Sequence, residues 1–324
     1  NTNDDQVVDG NVIKFIINGD DATITANGNN QISGDIDFTK GTITVANGAT
    51  LTSGDIAMKS ENAIIDLLGK LDTNVNGTGH LCFKNSAANV SGNVTGSNLT
   101  FEADHSLSKA ISGTIGDLTA MNVNNGTLTY DKQTGKIGEL NVAGGLDIGT
   151  NTVNATTVDF KDNSKLALRV AGADSFGKLN ATTINVGNDT TMNVTLDNGV
   201  VGNGENAKFK FLNGTVNGDF TNKIAENSRY AIEWADDGSL SITGQATASD
   251  VVADAGGTAN NAKTAEAWDS VTSSSTASEG AKAVASVLGD LSQNATTAAG
   301  QKAYVDALTA VAPEVAPAVQ QTST

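Results

Sequence analysis

Through most of this chain the large apolar residues take every second position, in runs too short to be helices. Ile24, Ile43, Val45, Leu51, Ile56 and Met58 alternate in this way with polar neighbours. Such alternation marks strands with one face buried. Glycine and asparagine punctuate the runs and read as turns. The runs also recur. Ser33-Gly34-Asp35-Ile36 returns as Ser53-Gly54-Asp55-Ile56, and Thr23-Ile24-Thr25-Ala26-Asn27-Gly28 as Thr42-Ile43-Thr44-Val45-Ala46-Asn47-Gly48 with one insertion. Ser91-Gly92-Asn93-Val94 is matched by Ser112-Gly113-Thr114-Ile115, and Asn154-Ala155-Thr156-Thr157-Val158 by Asn180-Ala181-Thr182-Thr183-Ile184.

An imperfect period near twenty residues, from Val12 to about Val201, predicts a solenoid. The glycines and the Thr/Val/Ile bias oppose helical repeats, and the Leu-x-x-Leu-x-Leu frame of leucine-rich repeats is missing. A parallel β-helix fits best, each coil burying its apolar side chains against the next. Residues 12 to 245 would make roughly a dozen coils, a rod of about 55 Å at ~4.8 Å per strand. Both ends need caps, and Phe15, Ile16 and Ile17 are placed to begin the first. Two places break the rhythm. Ala63-Ile64-Ile65-Asp66-Leu67-Leu68-Gly69 reads as a buried strand or one helical turn, and segment 101–121 as an irregular stretch with room for a loop.

The aromatic residues concentrate between Ala207 and Thr243, where Phe209, Phe211, Leu212, Val216, Phe220, Ile224, Tyr230, Ile232, Trp234, Leu240 and Ile242 lie close together. Lys208-Phe209-Lys210-Phe211 and Tyr230-Ala231-Ile232-Glu233-Trp234 alternate as strands, and Asp236-Asp237-Gly238-Ser239 supplies a turn. The pattern Phe-x-Phe-Leu, Gly-x-Phe, then Tyr-x-Ile-x-Trp-x-x-Asp-Gly-x-Leu-x-Ile resembles the C-terminal end of classical bacterial autotransporter passenger domains of the pertactin-like type. In that family this region is the autochaperone, which closes a right-handed β-helix. The resemblance implies that Phe209, Phe211, Leu212, Phe220, Tyr230, Trp234, Leu240 and Ile242 form a folding cap.

From Ala246 the composition changes to Ala, Ser, Thr and Asp, with helices expected at about 259–271, 279–293 and 296–311. In the second, Ala283, Val284, Val287, Leu288 and Leu291 form a stripe at helical spacing; in the third, Ala303, Tyr304, Ala307, Leu308 and Val311 do. Pro313 and Pro317, the only prolines, stop the last helix and stiffen the tail. This ending looks like the linker upstream of autotransporter β-barrels. The expected organisation is a β-helix over 1–204, an autochaperone-like cap over 205–245, and a helical linker over 246–324 leading to a barrel absent from the sequence.

Composition and charge narrow the chemistry. Aromatic residues make up 4% and glycines number 35, which suits thin layers of Val, Ile, Leu, Ala and Thr. The net charge of −17 argues against nucleic acid and anionic membranes and favours solubility. Cys82, alone, allows no internal disulfide. It sits between Leu81 and Phe83 and reads as a buried thiol; scarcity of cysteine fits a chain that crosses the periplasm unfolded. The N-terminus, Asn1-Thr2-Asn3-Asp4-Asp5, is no signal peptide, and no run of eighteen apolar residues occurs. An exported chain would have lost its signal.

Candidate catalytic groups are sparse. His80 and His105 are the only histidines, and neither spacing supports a triad or a metal site. The Gly-Asp-Ser-Gly motif of serine-protease autotransporters, Gly-x-Ser-x-Gly, the P-loop, Gly-x-Gly-x-x-Gly and calcium nonapeptides are absent. Asp35 and Asp37 lie on one side of a strand with few basic partners, which disfavours a pectinolytic site, and the Asn-x-Ser/Thr triplets follow from composition. The expectation is a non-enzymatic passenger without cofactor or metal, a stalk or adhesin at the surface of a Gram-negative bacterium or released from it. Its expected partners are its own outer-membrane β-barrel translocator and a host-cell receptor, a glycan or further copies of itself, but not nucleic acid. A self-assembling surface-layer or biofilm protein is the alternative, and a β-helical polysaccharide-degrading enzyme a more distant one.

Overall fold

The structure is a computed structural model of the 324-residue chain. It describes residues 14–312 apart from 109, 131–134, 198–199, 201–206, 226, 228 and 273. The expected proline-stiffened tail at Pro313 and Pro317 lies outside the described residues.

The described residues form a parallel β-solenoid with coils of about 20 residues, and four C-terminal helices. The long sheet has ten strands: β1 (Lys14–Ala26), β3 (Asp35–Val45), β5 (Ile56–Leu67), β7 (Val75–Phe83), β9 (Val94–Ala103), β11 (Ile115–Val123), β13 (Ile137–Val142), β15 (Thr152–Phe160), β17 (Lys178–Val186) and β20 (Leu212–Asn217). They are stacked in that order, fewer than the dozen coils expected. Short strands form the opposite wall in two sheets. One holds β2 (Asn29–Gln31), β4 (Thr50–Thr52), β6 (Lys70–Asp72) and β8 (Asn89–Val90). The other holds β10 (Leu107–Ser108), β12 (Thr127–Thr129), β14 (Gly145–Gly149), β16 (Lys165–Val170), β18 (Thr191–Leu196) and β21 (Asn222–Ile224).

The sequence repeats are the stacking register. Ile36 of the first Ser-Gly-Asp-Ile pairs with Ile56 of the second. Thr23, Ile24, Thr25 and Ala26 pair with Thr42, Ile43, Thr44 and Val45. Val94 pairs with Ile115, and Asn154, Ala155, Thr157 and Val158 with Asn180, Ala181, Thr183 and Ile184. Residues at one register position therefore share one environment, which is why the sequence repeats there.

Two inner columns carry the core. Val45, Leu67, Phe83, Ala103, Val123, Val142 and Phe160 follow one another through consecutive strands, all buried. Ile43, Ile65, Leu81, Phe101, Met121, Leu140, Val158 and Ile184 form the second. Each such side chain contributes about 1.5–3 kcal/mol by leaving water. Small residues sit beside large ones, as Ala103 beside Phe83, which lets successive layers interdigitate. Phe83 and Phe101 touch at 4.7 Å between ring centroids.

The irregular stretches have local causes. Ala63-Ile64-Ile65-Asp66-Leu67 is strand, not helix, the end of β5 with alternate residues fully buried. Within 101–121, Leu107 and Ser108 pair forward with Leu128 and Thr129, whereas Ile111 bridges back to Val90. The short-strand wall passes from one sheet to the other there. At Gly77 the β7–β9 pairing shifts register, φ is +112°, and a Cβ would lie 1.9 Å from the carbonyl oxygen of its β5 partner Met58. Only glycine fits that approach.

The chain divides into two compact units. The first is the solenoid up to Thr195 with Phe209–Ile224 and Trp234–Leu240; the second comprises Leu196–Lys208, Ala225–Glu233 and the chain from Ser241. A three-stranded sheet, β19 (Ala207–Phe209), β23 (Leu240–Gln245) and β22 (Tyr230–Trp234), is ordered β19-β23-β22. Lys210 and Phe211 lie beyond the end of β19, so the expected strand Lys208–Phe211 is shorter than its alternation predicts.

The helices are α1 (Ala248–Asp254), α2 (Ala259–Thr272), α3 (Glu279–Gln293) and α4 (Ala298–Val311). Thr247, Ser278 and Thr297 cap α1, α3 and α4, each hydroxyl accepting from the backbone N–H three residues on. Val251, Val252, Ala265, Leu288, Tyr304 and Leu308 share a core, with Trp268 packed against it. The predicted α3 stripe only partly faces this core. Leu288 is buried, but Val284 and Val287 are 37% and 57% exposed. No helix among the described residues is long and apolar enough to cross a membrane.

Candidate functional site

The outer surface of the solenoid is built from polar ladders. Asp55 N–H donates to Asp35 Oδ1 at 2.9 Å, Asn74 Nδ2 to Asp55 Oδ1 at 2.8 Å, Asn93 N–H to Asn74 Oδ1 at 2.8 Å, and Thr114 N–H to Asn93 Oδ1 at 2.8 Å. A side chain at each of these corners reaches the next coil. Asn, Asp and Thr suit this place because they are short and can accept from a neighbouring N–H. Asp35 and Asp37 do project from one side of β3, as the alternation predicts. Asp35 is engaged by the ladder and Asp37 lies 3.8 Å from Lys59 Nζ.

Towards the end of the long sheet the ladders become asparagine columns. Asn180 Nδ2 donates to Asn154 Oδ1 and Asn213 Nδ2 to Asn180 Oδ1, both at 3.0 Å. Asn185 Nδ2 donates to Asp159 Oδ1 at 2.5 Å and Asn217 Nδ2 to Asn185 Oδ1 at 2.9 Å. Two open grooves follow these columns. One, of about 720 Å³, is lined by Asp159, Lys161, Asp162, Asn185 and Asn217. The other, of about 520 Å³, is lined by Lys136, Asn154, Asn180, Thr182 and Asn213.

The histidines lie elsewhere. His80 Nδ1 is 2.7 Å from Glu102 Oε1 on the outer face of β7 and β9. His105 is exposed, just beyond β9. Two residues along from His80, Cys82 is buried. Burial, with the neighbouring Glu102 charge, pushes its thiol up to about 12. A protonated thiol is a poor nucleophile and a poor metal ligand. Lys84 donates to Asp104 at 2.6 Å, and Asn124 donates to the same carboxylate at 2.8 Å. Against the opposing effect of partial burial, these bonds hold Asp104 below the usual carboxylate range. Among the described residues no group of three or more His, Cys, Asp or Glu side chains is placed to hold a metal ion.

The eight residues assigned to a folding cap divide between the two units. Phe209, Phe211, Leu212, Phe220, Trp234 and Leu240 belong with the solenoid, Tyr230 and Ile242 with the second unit. All are buried except Trp234, which is partly exposed. Leu212 pairs with Leu179 as the last strand joins the long sheet. The aromatic contacts run through Phe176, a residue that the sequence reading passed over. Its ring is 5.3 Å from Phe209 and 6.0 Å from Phe211, and Phe211 is 6.4 Å from Trp234. Phe220 meets Phe160 at 5.1 Å. The available signal was a lone large side chain among turn formers, Ala-Asp-Ser-Phe-Gly. In the second unit, Arg229, also overlooked, is 6% exposed and donates to the Ala246 carbonyl, Asp269 and Ser292.

Comparison with protein-family models, with curated proteins and with solved structures finds no match.

Proposed function

We propose that the chain is a non-enzymatic autotransporter passenger, a stalk or adhesin held at or released from the surface of a Gram-negative bacterium. The observation that supports this most is the coil-upon-coil stack itself. Its repeats align in register through ten strands and reach the aromatic cluster of Phe176, Phe209, Phe211 and Trp234. A capped helical unit follows in the chain. The described solenoid surface is occupied mostly by ladders that join coils, an arrangement suited to display rather than turnover. A stack of this kind grows one coil at a time, each coil burying its apolar residues on the last, and a chain emerging through a membrane could fold in that manner.

The test has two stages. The coding sequence beyond Thr324 is read first, and an outer-membrane barrel signature of ten-residue alternating strands is expected. Intact cells of the source bacterium are then labelled with antibody to the solenoid. A stop codon directly after Thr324, or labelling only after the outer membrane is broken, would overturn the proposal.

A further inference from the structure

Three adjacent strands, β15, β17 and β20, present the same outward chemistry three times. Their register aligns Asn154, Asn180 and Asn213 in one column, Thr157, Thr183 and Thr215 in a second, and Asp159, Asn185 and Asn217 in a third. Each column repeats at the strand spacing, ~4.8 Å. A carboxamide offers two N–H donors and two acceptor positions. The ladder bonds consume one donor of each asparagine that gives one. They also fix the amide planes, so the remaining capacity is directed at solvent without further loss of side-chain freedom.

The two grooves of about 720 and 520 Å³ run along the outer columns. Their charges are few and opposite: one groove sets Asp159 and Asp162 against Lys161, and the other has Lys136 alone. Taken together the two grooves sum to zero, whereas the whole chain carries −17. An anionic polymer would be repelled by the surrounding chain, and a cationic one would gain little in the grooves themselves. No large apolar side chain is exposed there, Phe160 being buried at 2%. The surface instead offers amide and hydroxyl groups at a regular axial interval close to the length of a pyranose ring in an extended chain.

We propose that each of these two grooves binds a neutral linear oligosaccharide lying along the solenoid axis. The amides of Asn185 and Asn217 supply hydrogen bonds to sugar hydroxyls in one groove, and those of Asn180 and Asn213 in the other. Each coil contacts about one sugar unit, so affinity should rise with ligand length up to the span of the columns. The assignment gives the adhesin reading a class of ligand and rests on that reading only for its biological use. Binding by the purified chain tests it whether or not the chain is displayed.

Cello-, malto- and chito-oligosaccharides of two to six units are titrated into the purified chain by isothermal calorimetry. Hyaluronan and an oligolysine peptide serve as acidic and basic comparators. Binding of at least one neutral series is expected, stronger with length and insensitive to salt. Asn185→Ala and Asn217→Ala should weaken binding in their own groove about tenfold each, as loss of a hydrogen-bonding group from a formed site does. Asn124→Ala removes the same kind of ladder bond at Asp104 and should leave affinity unchanged. Thermal melting of all three variants separates lost binding from lost folding. The proposal is overturned if no neutral series binds at millimolar concentration, or if Asn124→Ala weakens binding as much as the groove variants. An Asn185-dependent signal from hyaluronan or oligolysine alone would overturn it too.

Discussion

Arg229 grips Asp269 with both ends of its guanidinium, Nη1 to Oδ1 at 3.3 Å and Nη2 to Oδ2 at 3.0 Å, across forty residues of sequence. The same side chain donates from Nε to the Ala246 carbonyl at 2.8 Å. It thus joins the start of β22, the end of β23 and the helix α2 within the second unit. A planar fork that satisfies a carboxylate and a carbonyl together is a task for arginine, not lysine.

Removing only Asp269 leaves that guanidinium buried without its counter-charge. Loss of one partner from a buried pair costs about 3–5 kcal/mol, and the 43% exposure of the Asp269 side chain reduces this to roughly 1–3 kcal/mol. Asp269→Ala should therefore lower the urea midpoint of the helical unit, read by Trp268 fluorescence. Arg229→Met combined with Asp269→Ala should regain part of the loss, because no charge then stays buried. Equal stability of Asp269→Ala and the unaltered chain would show that the pair contributes nothing.

How far the fold could be read from the chain follows from which interactions repeat. Tetrapeptides such as Ser33-Gly34-Asp35-Ile36 were informative because each copy meets the same neighbours one coil on, and Ile36 stacks on Ile56. The helix α2 was legible from the change in composition, and α3 and α4 from apolar spacing and punctuation as well. The helix α1 was not, since its seven residues are too few for a periodic signal. It is held by the reciprocal hydrogen bonds of Thr247 and Asp250. The α3 stripe misled because apolar spacing alone does not say which side meets the core; Val287 stays in water while Ser292 is buried. Arg229 and Phe176 escaped notice because each is a single residue whose partners are distant in sequence. The asparagine columns were hidden for another reason. An Asn between turns reads as turn chemistry until the register places Asn180 on Asn154.

Gly77 sets a steric requirement. With φ at +112° and a Cβ position 1.9 Å from the Met58 oxygen, alanine must either displace the β5 backbone or undo the bulge. A strained backbone of this kind costs up to about 3 kcal/mol even before the clash is counted. Gly77→Ala should lower the melting temperature and raise the fraction that aggregates on refolding. Gly28→Ala, where nothing lies within 4 Å of the new methyl, should leave both nearly unchanged. Similar effects from the two substitutions would refute the steric account.

Phe101 tests how far damage spreads. It fills the inner column between Leu81 and Met121 and stacks on Phe83 at 4.7 Å. Truncation to alanine should cost about 3–5 kcal/mol. In a solenoid each coil contacts mainly its neighbours, so the loss should stay local. Hydrogen exchange in Phe101→Ala should accelerate across β7, β9 and β11, with β15 to β17 still protected. Uniform acceleration along the whole long sheet would mean that the coils unfold as one unit.

Cys82 gives a pH prediction whose sign is fixed by burial. Its thiol is raised from its ordinary 9.0 to about 12, chiefly because the buried site disfavours the thiolate, with the Glu102 charge adding to this. The folded state therefore holds the proton more tightly than the unfolded chain. The resulting stability is fully present below pH ~9 and is lost progressively as pH rises from there through about 12. Lys84 acts in the same direction, raised by its hydrogen bond to Asp104. Between pH 9 and 11 the chain should lose stability in urea more steeply than Cys82→Ala, which lacks the thiol. At pH 8 the native thiol should resist iodoacetamide and react only after denaturation. Rapid alkylation of the folded chain at pH 8, or identical alkaline profiles for the two proteins, would show that Cys82 is neither shielded nor raised.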